Sequence, residues 1–257
     1  MCELLAMSAN VPTDVRFSFA ALSQRGGATG KHTDGWGISF YEGKGCRSLH
    51  DPHPSAHSEL ARFIKSYPIK SLIVIAHVRK ANRGRVALEN THPFSRELWG
   101  SVWSFAHNGQ LKAIKTRTLD FYAPIGTTDS EPAFCWLLDR LRAMYPKRPS
   151  DHKLGWAIAE LFAELRKLGV FNALLSDGRA LYASCSTKLC YVERRAPFGQ
   201  ASLIDEDMEV DFAKETTPDD RVVILASTPL TRNETWTYVE PQTTLVARNG
   251  TVVQTFR

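Results

Sequence analysis

The sequence predicts an α+β protein in which two antiparallel sheets are flanked by helices. Strand patterns come first, two adjacent helical patterns occupy the middle of the chain, and strand patterns then return. Asp177-Gly178 and Asn249-Gly250 each separate two strand patterns, and such dipeptides form the tight turns of hairpins. Frequent hairpins favour antiparallel sheets over a doubly wound parallel sheet.

The first half of the chain predicts five strands and two helices. A helical apolar spacing over residues 15–24 ends at Gly26-Gly27, as expected for glycines that follow a helix. Residues 71–78 are nearly all apolar and β-branched, which predicts a central strand covered on both faces. The predicted strands are residues 2–8, 36–41, 46–50, 71–78 and 101–106, and the predicted helices are residues 15–24 and 55–67.

The second half predicts two long helices followed by strands. Thr128-Asp129-Ser130-Glu131 has the S/T-x-x-E form of a capping box and opens a helix that continues to about Arg142. Residues 151–168 carry one apolar stripe and predict the second helix. The predicted strands that follow are residues 171–176, 179–184, 188–194, 221–226, 244–248 and 251–256. No linker is evident, so we expect one domain over residues 2–257.

Charge and hydropathy argue against two classes of partner. The chain of 257 residues has a net charge of +5, but no basic run has interleaved aromatic residues, so we expect no nucleic-acid partner. The longest apolar runs, residues 71–78 and 222–226, are too short to cross a membrane. The N-terminus lacks the pattern of a signal peptide, and Glu3 stands near its start. We therefore expect a cytoplasmic protein that does not bind membranes.

The five cysteines do not suggest a disulfide framework or a metal site. Their number is odd and none of them has a CxxC spacing. We expect free thiols in a reducing compartment, and neither a metal nor a cofactor.

Cys2 has a special position at the start of the first predicted strand. Removal of Met1 would leave a thiol and a free α-amino group on the same residue. The unperturbed pKa of such an amine is about 7.7–8.0, so it can act as a general base at neutral pH. From position alone, Cys2 could equally be a small buried residue.

Three other groups could complete a site with Cys2. His107-Asn108-Gly109 follows a strand pattern, and an Asn amide beside a backbone N–H is a suitable oxyanion hole, although Asn-Gly also forms turns. Arg79 follows a central strand and could bind a carboxylate or be solvated. Asp129 could bind an ammonium ion, although helix N-termini favour acidic residues anyway. Together these groups suit glutamine or a γ-glutamyl compound.

Five motifs, in this order, resemble those of the class II glutamine amidotransferases. They are Cys2, His77-Val78-Arg79, Asn90-Thr91-His92-Pro93-Phe94, Phe105-Ala106-His107-Asn108-Gly109 and Thr128-Asp129-Ser130-Glu131. Two further segments, residues 34–41 and 228–236, are similar to the stand-alone, YafJ-type branch of that family. The resemblance covers essentially the whole chain.

The resemblance implies an N-terminal-nucleophile fold, which is a four-layer αββα sandwich. It assigns Cys2 as the nucleophile after loss of Met1, with its own α-amine as the base. Asn108 and Gly109 would stabilise the oxyanion. Arg79 would bind the α-carboxylate of the substrate, and Asp129 its α-ammonium group.

The resemblance also assigns two less certain substrate contacts. His92 would line the site, although a structural His-Pro turn would also explain it. After the strand-end arginine, better-known members of the family tend to have an aromatic residue and then a threonine two positions further on. This chain has Lys80, Ala81 and Asn82 instead. Asn82 could supply a similar hydrogen bond to the substrate.

The length of the chain bears on what happens to the released ammonia. In multidomain members of the family, a glutaminase domain of about this size is followed by a synthase, and we expect no synthase domain here. The chain could supply ammonia to a separate acceptor enzyme, or hydrolyse a γ-glutamyl compound with water as the acceptor. It could also be a non-catalytic or regulatory module that binds glutamine or γ-glutamyl compounds.

Overall fold

The computed structural model describes residues 2–81 and 85–257. Its main elements in chain order are β1 (Glu3–Asp14), α1 (Arg16–Gln24), β2 (Trp36–Glu42), β3 (Gly45–Asp51), α2 (Glu59–Ser66), β4 (Lys70–Val78), β5 (Phe94–Leu98), β6 (Ser101–Leu111), α3 (Ser130–Met144), α4 (Asp151–Arg166), β7 (Gly169–Ser176), β8 (Leu181–Cys185), β9 (Cys190–Arg195), β10 (Gln200–Ser202), β11 (Glu209–Asp211), α5 (Phe212–Glu215), β12 (Arg221–Ala226), β13 (Thr237–Tyr238), β14 (Thr243–Arg248) and β15 (Thr251–Phe256).

The strands form two large antiparallel sheets. The first sheet has seven strands in the order β13-β9-β12-β1-β4-β2-β3. The second has six strands in the order β15-β14-β8-β7-β6-β5, and β10 pairs with β11 in a separate hairpin. Strand β1 lies centrally in the first sheet and pairs with both β4 and β12.

The helices cover the outer faces of the two sheets. Phe19 of α1 and Ile64 of α2 pack in one apolar cluster with Leu5 and Met7, which lie on β1 of the first sheet. The apolar faces of α3 and α4 pack in the same way against β6 and β7 of the second sheet. These are the outer layers of the predicted four-layer sandwich.

A third apolar core lies between the sheets. Leu4, Ala6 and Ile75 of the first sheet meet Ala106 and Leu174 of the second. Because side chains alternate along a strand, β1 directs Leu4 and Ala6 to this inner core and Leu5 and Met7 to the helices. The α+β class and the αββα arrangement that the sequence predicted are confirmed.

Several predicted boundaries were wrong. β1 continues through Pro12 to Asp14. Proline has no N–H group to donate to the neighbouring strand, but the regular pairing with β4 is interrupted between Ser8 and Thr13, so no donor is required at Pro12. The predicted helix over residues 55–67 is shorter: a 3₁₀ turn comes first, and α2 then begins with Ser58 as its N-cap. The hairpin partner of β6, strand β5, was not predicted.

The end of β6 differs most from the prediction. The strand was expected to stop at Ala106, with His107-Asn108-Gly109 after it, but β6 continues to Leu111. Asn108 pairs with Asn172 and Gly109 with Phe171 in the ladder to β7. Asn108 therefore projects from a regular strand rather than from a turn.

The capping box of α3 is only half formed. Thr128 Oγ1 accepts a weak hydrogen bond from the N–H of Glu131, with a distance of 3.4 Å. The Glu131 carboxylate does not return this bond. It accepts the N–H groups of Ile125 and Gly126 and pairs with Arg96.

Among the described residues, no helix is both long and apolar enough to cross a membrane.

Candidate active site

The position of Cys2 follows from the pairing of β1 with β4. Glu3 lies opposite Val78 in that antiparallel ladder, so the start of β1 lies beside the end of β4. Cys2 Sγ accepts the backbone N–H of Lys80 at 3.3 Å and contacts the carbonyl oxygen of Lys80 at 3.4 Å. A single residue, Lys80, thus supplies both of these backbone contacts to the thiol.

Burial decides the protonation state of the Cys2 thiol. Loss of solvent raises the pKa of the thiol, and the hydrogen bond from the N–H of Lys80 offsets this only in part. The thiol is therefore mainly protonated at neutral pH. Because the thiolate is the reactive form, chemistry at Cys2 requires a base close to the sulfur.

Asn108 reaches Cys2 from the second sheet. Its Oδ1 accepts the backbone N–H of Cys2 at 3.0 Å, and its Nδ2 donates to the carbonyl oxygen of Cys2 at 2.6 Å. Asn172, on the neighbouring strand, donates from Nδ2 to the carbonyl oxygen of Asn108 at 3.2 Å. The amide plane of Asn108 is consequently fixed relative to Cys2.

Gly109 permits the close approach of β6 and β7 next to Asn108. A Cβ atom at this position would lie 1.8 Å from the carbonyl oxygen of Val170, which is a backbone atom. Any other residue here would push the two strands apart and shift Asn108. The Asn-Gly pair therefore has a packing requirement in addition to any chemistry.

Arg79 is only 3% exposed and lies directly after β4. Its Nη1 donates to the carbonyl oxygens of Asp34 and Arg85, at 3.3 and 3.2 Å. Burial lowers the pKa of Arg79, but a guanidinium remains charged throughout the physiological range. Other N–H groups of its fork can still bind an anion.

Asp129 is the N-cap residue of α3. Its Oδ2 accepts the N–H of Leu111 at 2.7 Å, which ties the start of α3 to the end of β6. Within the described part of the chain, its Oδ1 makes no hydrogen bond. A carboxylate fixed by one oxygen in this way can offer the other to a cation.

A cavity of about 710 Å³ joins these groups. Its volume lies in the range typical of small-molecule sites. The predicted site residues found in its lining are Cys2, Arg79, His92, Asn108, Gly109 and Asp129. Asn82, the remaining predicted contact, lies outside the described residues.

Two buried histidines contribute neutral surface to the cavity. Burial lowers the pKa of His92 well below its usual value, and burial likewise lowers the pKa of His107. His107 lies between Ser130 Oγ and the carbonyl oxygen of Val170, at 2.8 and 3.1 Å. Neither ring nitrogen of His92 has a hydrogen-bonding partner within residues 2–81 and 85–257. Both nitrogens are shielded from solvent, because the His92 ring packs between the rings of His77 and Phe94, with centroid distances of 4.4 Å.

Arg25 stabilises the chain next to the thiol. It forms ion pairs with Glu3 at 3.2 Å and with Asp205 at 2.8 Å, and its Nη2 donates to the carbonyl oxygen of Pro229 at 2.6 Å. Thr228 also contacts both Arg25 and Glu3. The segment of residues 228–236 is thereby joined to the residue that follows Cys2.

Two contributors to the site were missed by sequence reasoning. Lys80 contacts the thiol through its backbone N–H and carbonyl groups, which no residue type reveals. Asp34 accepts the N–H of Ala81 at 2.7 Å and so fixes the turn that follows Arg79. Asp34 stands in the segment of residues 34–41 that resembles the YafJ-type branch, and this was the available signal.

The comparisons with known proteins agree on one family. The family model of the class II glutamine amidotransferases matches residues 1–257. A putative glutamine amidotransferase of Escherichia coli strain K12, YafJ, is 59% identical over 242 residues, covering 94% of this chain and 95% of YafJ.

Solved structures extend the comparison to the fold. The crystal structure of a predicted glutamine amidotransferase from Pseudomonas aeruginosa has a TM-score of 0.78 and 49% identity, covering 98% of this chain and 100% of the other. Glutamine phosphoribosylpyrophosphate amidotransferase from B. subtilis has a TM-score of 0.60 at 16% identity, covering 100% of this chain and 49% of that protein, and so shares the fold. The chain belongs to the class II glutamine amidotransferases and is similar to the stand-alone member YafJ.

Proposed function

We propose that this protein hydrolyses the side-chain amide of glutamine, or of a γ-glutamyl compound, through a thioester on Cys2. The observation that carries the proposal is the position of Cys2 between Asn108 and the Lys80 peptide, at a cavity that also contains Arg79 and Asp129. Family membership supports the same class of reaction.

Removal of Met1 supplies the base in this proposal. The nitrogen of Cys2 becomes a free α-amine with a pKa near 7.7–8.0 when unperturbed. Asn108 Oδ1, which lies 3.0 Å from that nitrogen, holds the amine close to the thiol on the same residue. The raised pKa of the thiol explains why such a base is needed.

The first chemical step forms the thioester. The α-amine accepts the thiol proton as Sγ bonds to the amide carbon, and the negative charge moves to the amide oxygen. The second N–H of Asn108 Nδ2 and the backbone N–H of Gly109 stabilise this oxyanion. The carbon–nitrogen bond then breaks, and ammonia leaves with the proton from the α-amine.

The second step returns the enzyme to its starting state. The α-amine accepts a proton from water, whose oxygen bonds to the thioester carbon. The carbon–sulfur bond breaks, glutamate is released, and the proton returns to Sγ. Atoms and charges balance with water as the only co-substrate.

Two charged side chains select the glutamyl group. The guanidinium of Arg79 binds the α-carboxylate, and a two-pronged geometry would make this contact strong. Asp129 Oδ1 binds the α-ammonium group. His92 lies in the lining of the same cavity, and His92 and Asn82 are the remaining proposed contacts of this substrate.

The size and charge of the cavity favour γ-glutamyl compounds as a second candidate substrate class. β6 alone runs about 10 Å along the cavity from Asn108 to Leu111, and Lys112 and Lys115 line its far part. Asp129 is the sole carboxylate among the described lining residues. Because Arg79 and Asp129 already match an α-amino acid, the lysines favour a substrate with an additional acidic group.

Release of glutamate from glutamine and from a γ-glutamyl dipeptide tests the proposal. We expect turnover of at least one of them by the purified protein, its loss in Cys2→Ser, and its retention in Cys46→Ser, which changes another partly exposed free thiol. If an added fraction of cell extract raises the glutaminase rate, a separate enzyme accepts the ammonia. Absence of turnover, together with tight glutamine binding that needs no thiol, would instead show a binding module.

A further inference from the structure

Asp34 lies two residues before the start of β2, at the end of the loop that precedes the strand. Its backbone N–H donates to the carbonyl oxygen of Arg79 at 3.1 Å, and the N–H of Arg79 donates to the carbonyl oxygen of Gly35 at 2.7 Å. These two bonds extend the pairing of β2 with β4 beyond Val78, which lies opposite Trp36. Arg79 is therefore held as the last residue of the ladder.

The side chain of Asp34 controls the next turn of the chain. Its Oδ2 accepts the N–H of Ala81 at 2.7 Å. With Arg79 held on one side and Ala81 on the other, the two peptide groups that flank the Cα atom of Lys80 have little freedom to rotate. Asp34 thus restrains Lys80 through its hydrogen bonds to the two neighbouring residues, Arg79 and Ala81.

The orientation of the Lys80 residue matters because both of its backbone polar groups contact the thiol. Its N–H donates to Cys2 Sγ and its carbonyl oxygen contacts the same atom. The N–H group lowers the thiol pKa, against the effect of burial. Rotation of this segment would remove a hydrogen bond that favours the thiolate.

The same residue also orients the guanidinium. Arg79 Nη1 donates to the backbone carbonyl oxygen of Asp34 at 3.3 Å, so a shift of the Asp34 backbone would also move the guanidinium. Asp34 is not part of the cavity lining, so it has no direct access to a substrate there.

We propose that Asp34 is a positioning residue that holds the Lys80 N–H against the Cys2 thiol and the Arg79 guanidinium at the cavity. It couples the reactivity of the nucleophile to recognition of the α-carboxylate. The part of the proposal that concerns Arg79 rests on the proposed function, because Arg79 binds an α-carboxylate only if the substrate is a glutamyl compound. The part that concerns the Cys2 thiol can be measured without any substrate.

The test compares Asp34→Ala with Asp34→Asn. We measure the alkylation rate of Cys2 by iodoacetamide as a function of pH, following the Cys2 peptide by mass spectrometry. Loss of the Ala81 anchor should shift the alkylation profile of Asp34→Ala to higher pH and slow alkylation at neutral pH about tenfold. Asn retains an acceptor oxygen of the same reach, so Asp34→Asn should stay close to the unmodified protein.

Asp211→Ala is the matched control, because Asp211 also accepts a backbone N–H, that of Ala213 at 3.2 Å, far from the cavity. It should leave the alkylation profile unchanged. In a protein that turns over glutamine, Asp34→Ala should also raise KM, whereas Asp34→Asn should not. If Asp34→Ala does not fold, Asp34→Ser, whose shorter side chain cannot reach Ala81 in the same way, takes its place.

A folded Asp34→Ala or Asp34→Ser protein with an unchanged alkylation profile would overturn the proposal. An equal loss in Asp34→Asn would also overturn it, since the acceptor oxygen would then not be the cause. Failure of the proposed function looks different: the unmodified protein would not hydrolyse any glutamyl substrate, while the effect of Asp34 on the thiol could still be measured.

Discussion

The side-chain amide of Asn108 pairs with both backbone polar groups of Cys2. Oδ1 lies 3.0 Å from the nitrogen and Nδ2 lies 2.6 Å from the carbonyl oxygen. The two residues are 106 positions apart and belong to different sheets. This pairing ties Cys2, the proposed nucleophile, to the second sheet, and it places the proposed oxyanion donor beside that residue.

Asn108→Ala should lower kcat more than it raises KM. Loss of one oxyanion donor typically reduces the rate about 10²–10³-fold, because the donor acts mainly in the transition state. Asn10→Ala is a suitable control: Asn10 also makes two hydrogen bonds with the backbone, one to Asp219 and one from Arg221, but it lies elsewhere. Steady-state kinetics with glutamine measures both variants. A large rise in KM with unchanged kcat would contradict the oxyanion role.

Arg79→Lys should raise KM for glutamine about tenfold or more, since the ammonium keeps the charge but loses the fork that grips a carboxylate. Arg166→Lys provides the control, because Arg166 is another desolvated arginine with polar contacts, to Ser184 and Thr244. The kinetics of both variants are compared at saturating and limiting glutamine. An unchanged KM in Arg79→Ala would refute the assignment of the α-carboxylate.

The rate of glutamine hydrolysis should increase with pH through about 7.7–8.0, because only the uncharged α-amine can accept the thiol proton. A protein that retains Met1 lacks this amine. Its Cys2 should become reactive only at more alkaline pH, because burial raises the thiol pKa above its ordinary value. Activity and alkylation measured from pH 6 to about 10 separate the two profiles. Identical profiles would argue against the α-amine as the base.

The stability of the protein should fall in mild acid, and His77 should contribute. Burial lowers the pKa of His77 to about 3, with a further effect from Arg79. Below about pH 6.5 the unfolded chain binds a proton at this residue that the folded chain does not, so stability is lost as pH falls from 6.5 towards 3.

Thermal unfolding at about pH 7.5 and pH 5.5 tests the role of His77. The loss at pH 5.5 from this residue is of order 1 kcal/mol. His77→Gln removes the titration and should reduce the difference between the two pH values, whatever its own effect on stability. His57→Gln, at an exposed histidine, should leave that difference unchanged. A steeper pH dependence in His77→Gln would show that the sign is wrong.

The architecture was predictable from sequence because it depends on patterns that side chains express directly. Alternation within β2 and the apolar run of β4 identified strands, and Asp177-Gly178 identified a hairpin. β5 was missed because an arginine and a glutamate interrupt the apolar pattern of Phe94–Leu98, and only the structure shows that Arg96 is partly buried and pairs with Glu131 of α3. The predicted end of β1 at Ser8 was also wrong, since a local register shift lets the strand continue past Pro12.

The site was predictable as a set of residue types but not as a set of contacts. Motifs indicated Cys2, Asn108 and Asp129, which lie far apart in the chain and meet in one cavity. The motifs could not indicate that the backbone of Lys80 contacts the thiol, because every residue other than proline carries the same N–H and carbonyl groups. The sequence also did not predict that β6 continues past Ala106. Asn-Gly is common in turns, and only the pairing with β7 shows that Asn108 and Gly109 belong to a strand.

Intact mass of the purified protein, before and after reaction with the glutamine analogue 6-diazo-5-oxo-norleucine, tests whether Cys2 is a processed N-terminal nucleophile. We expect a chain without Met1 that gains a single adduct, located on Cys2 by peptide mapping and absent from Cys2→Ser. Glutamine in excess should protect against labelling. A protein that retains Met1 and still hydrolyses glutamine, or a processed protein whose Cys2 does not react, would contradict this role of Cys2.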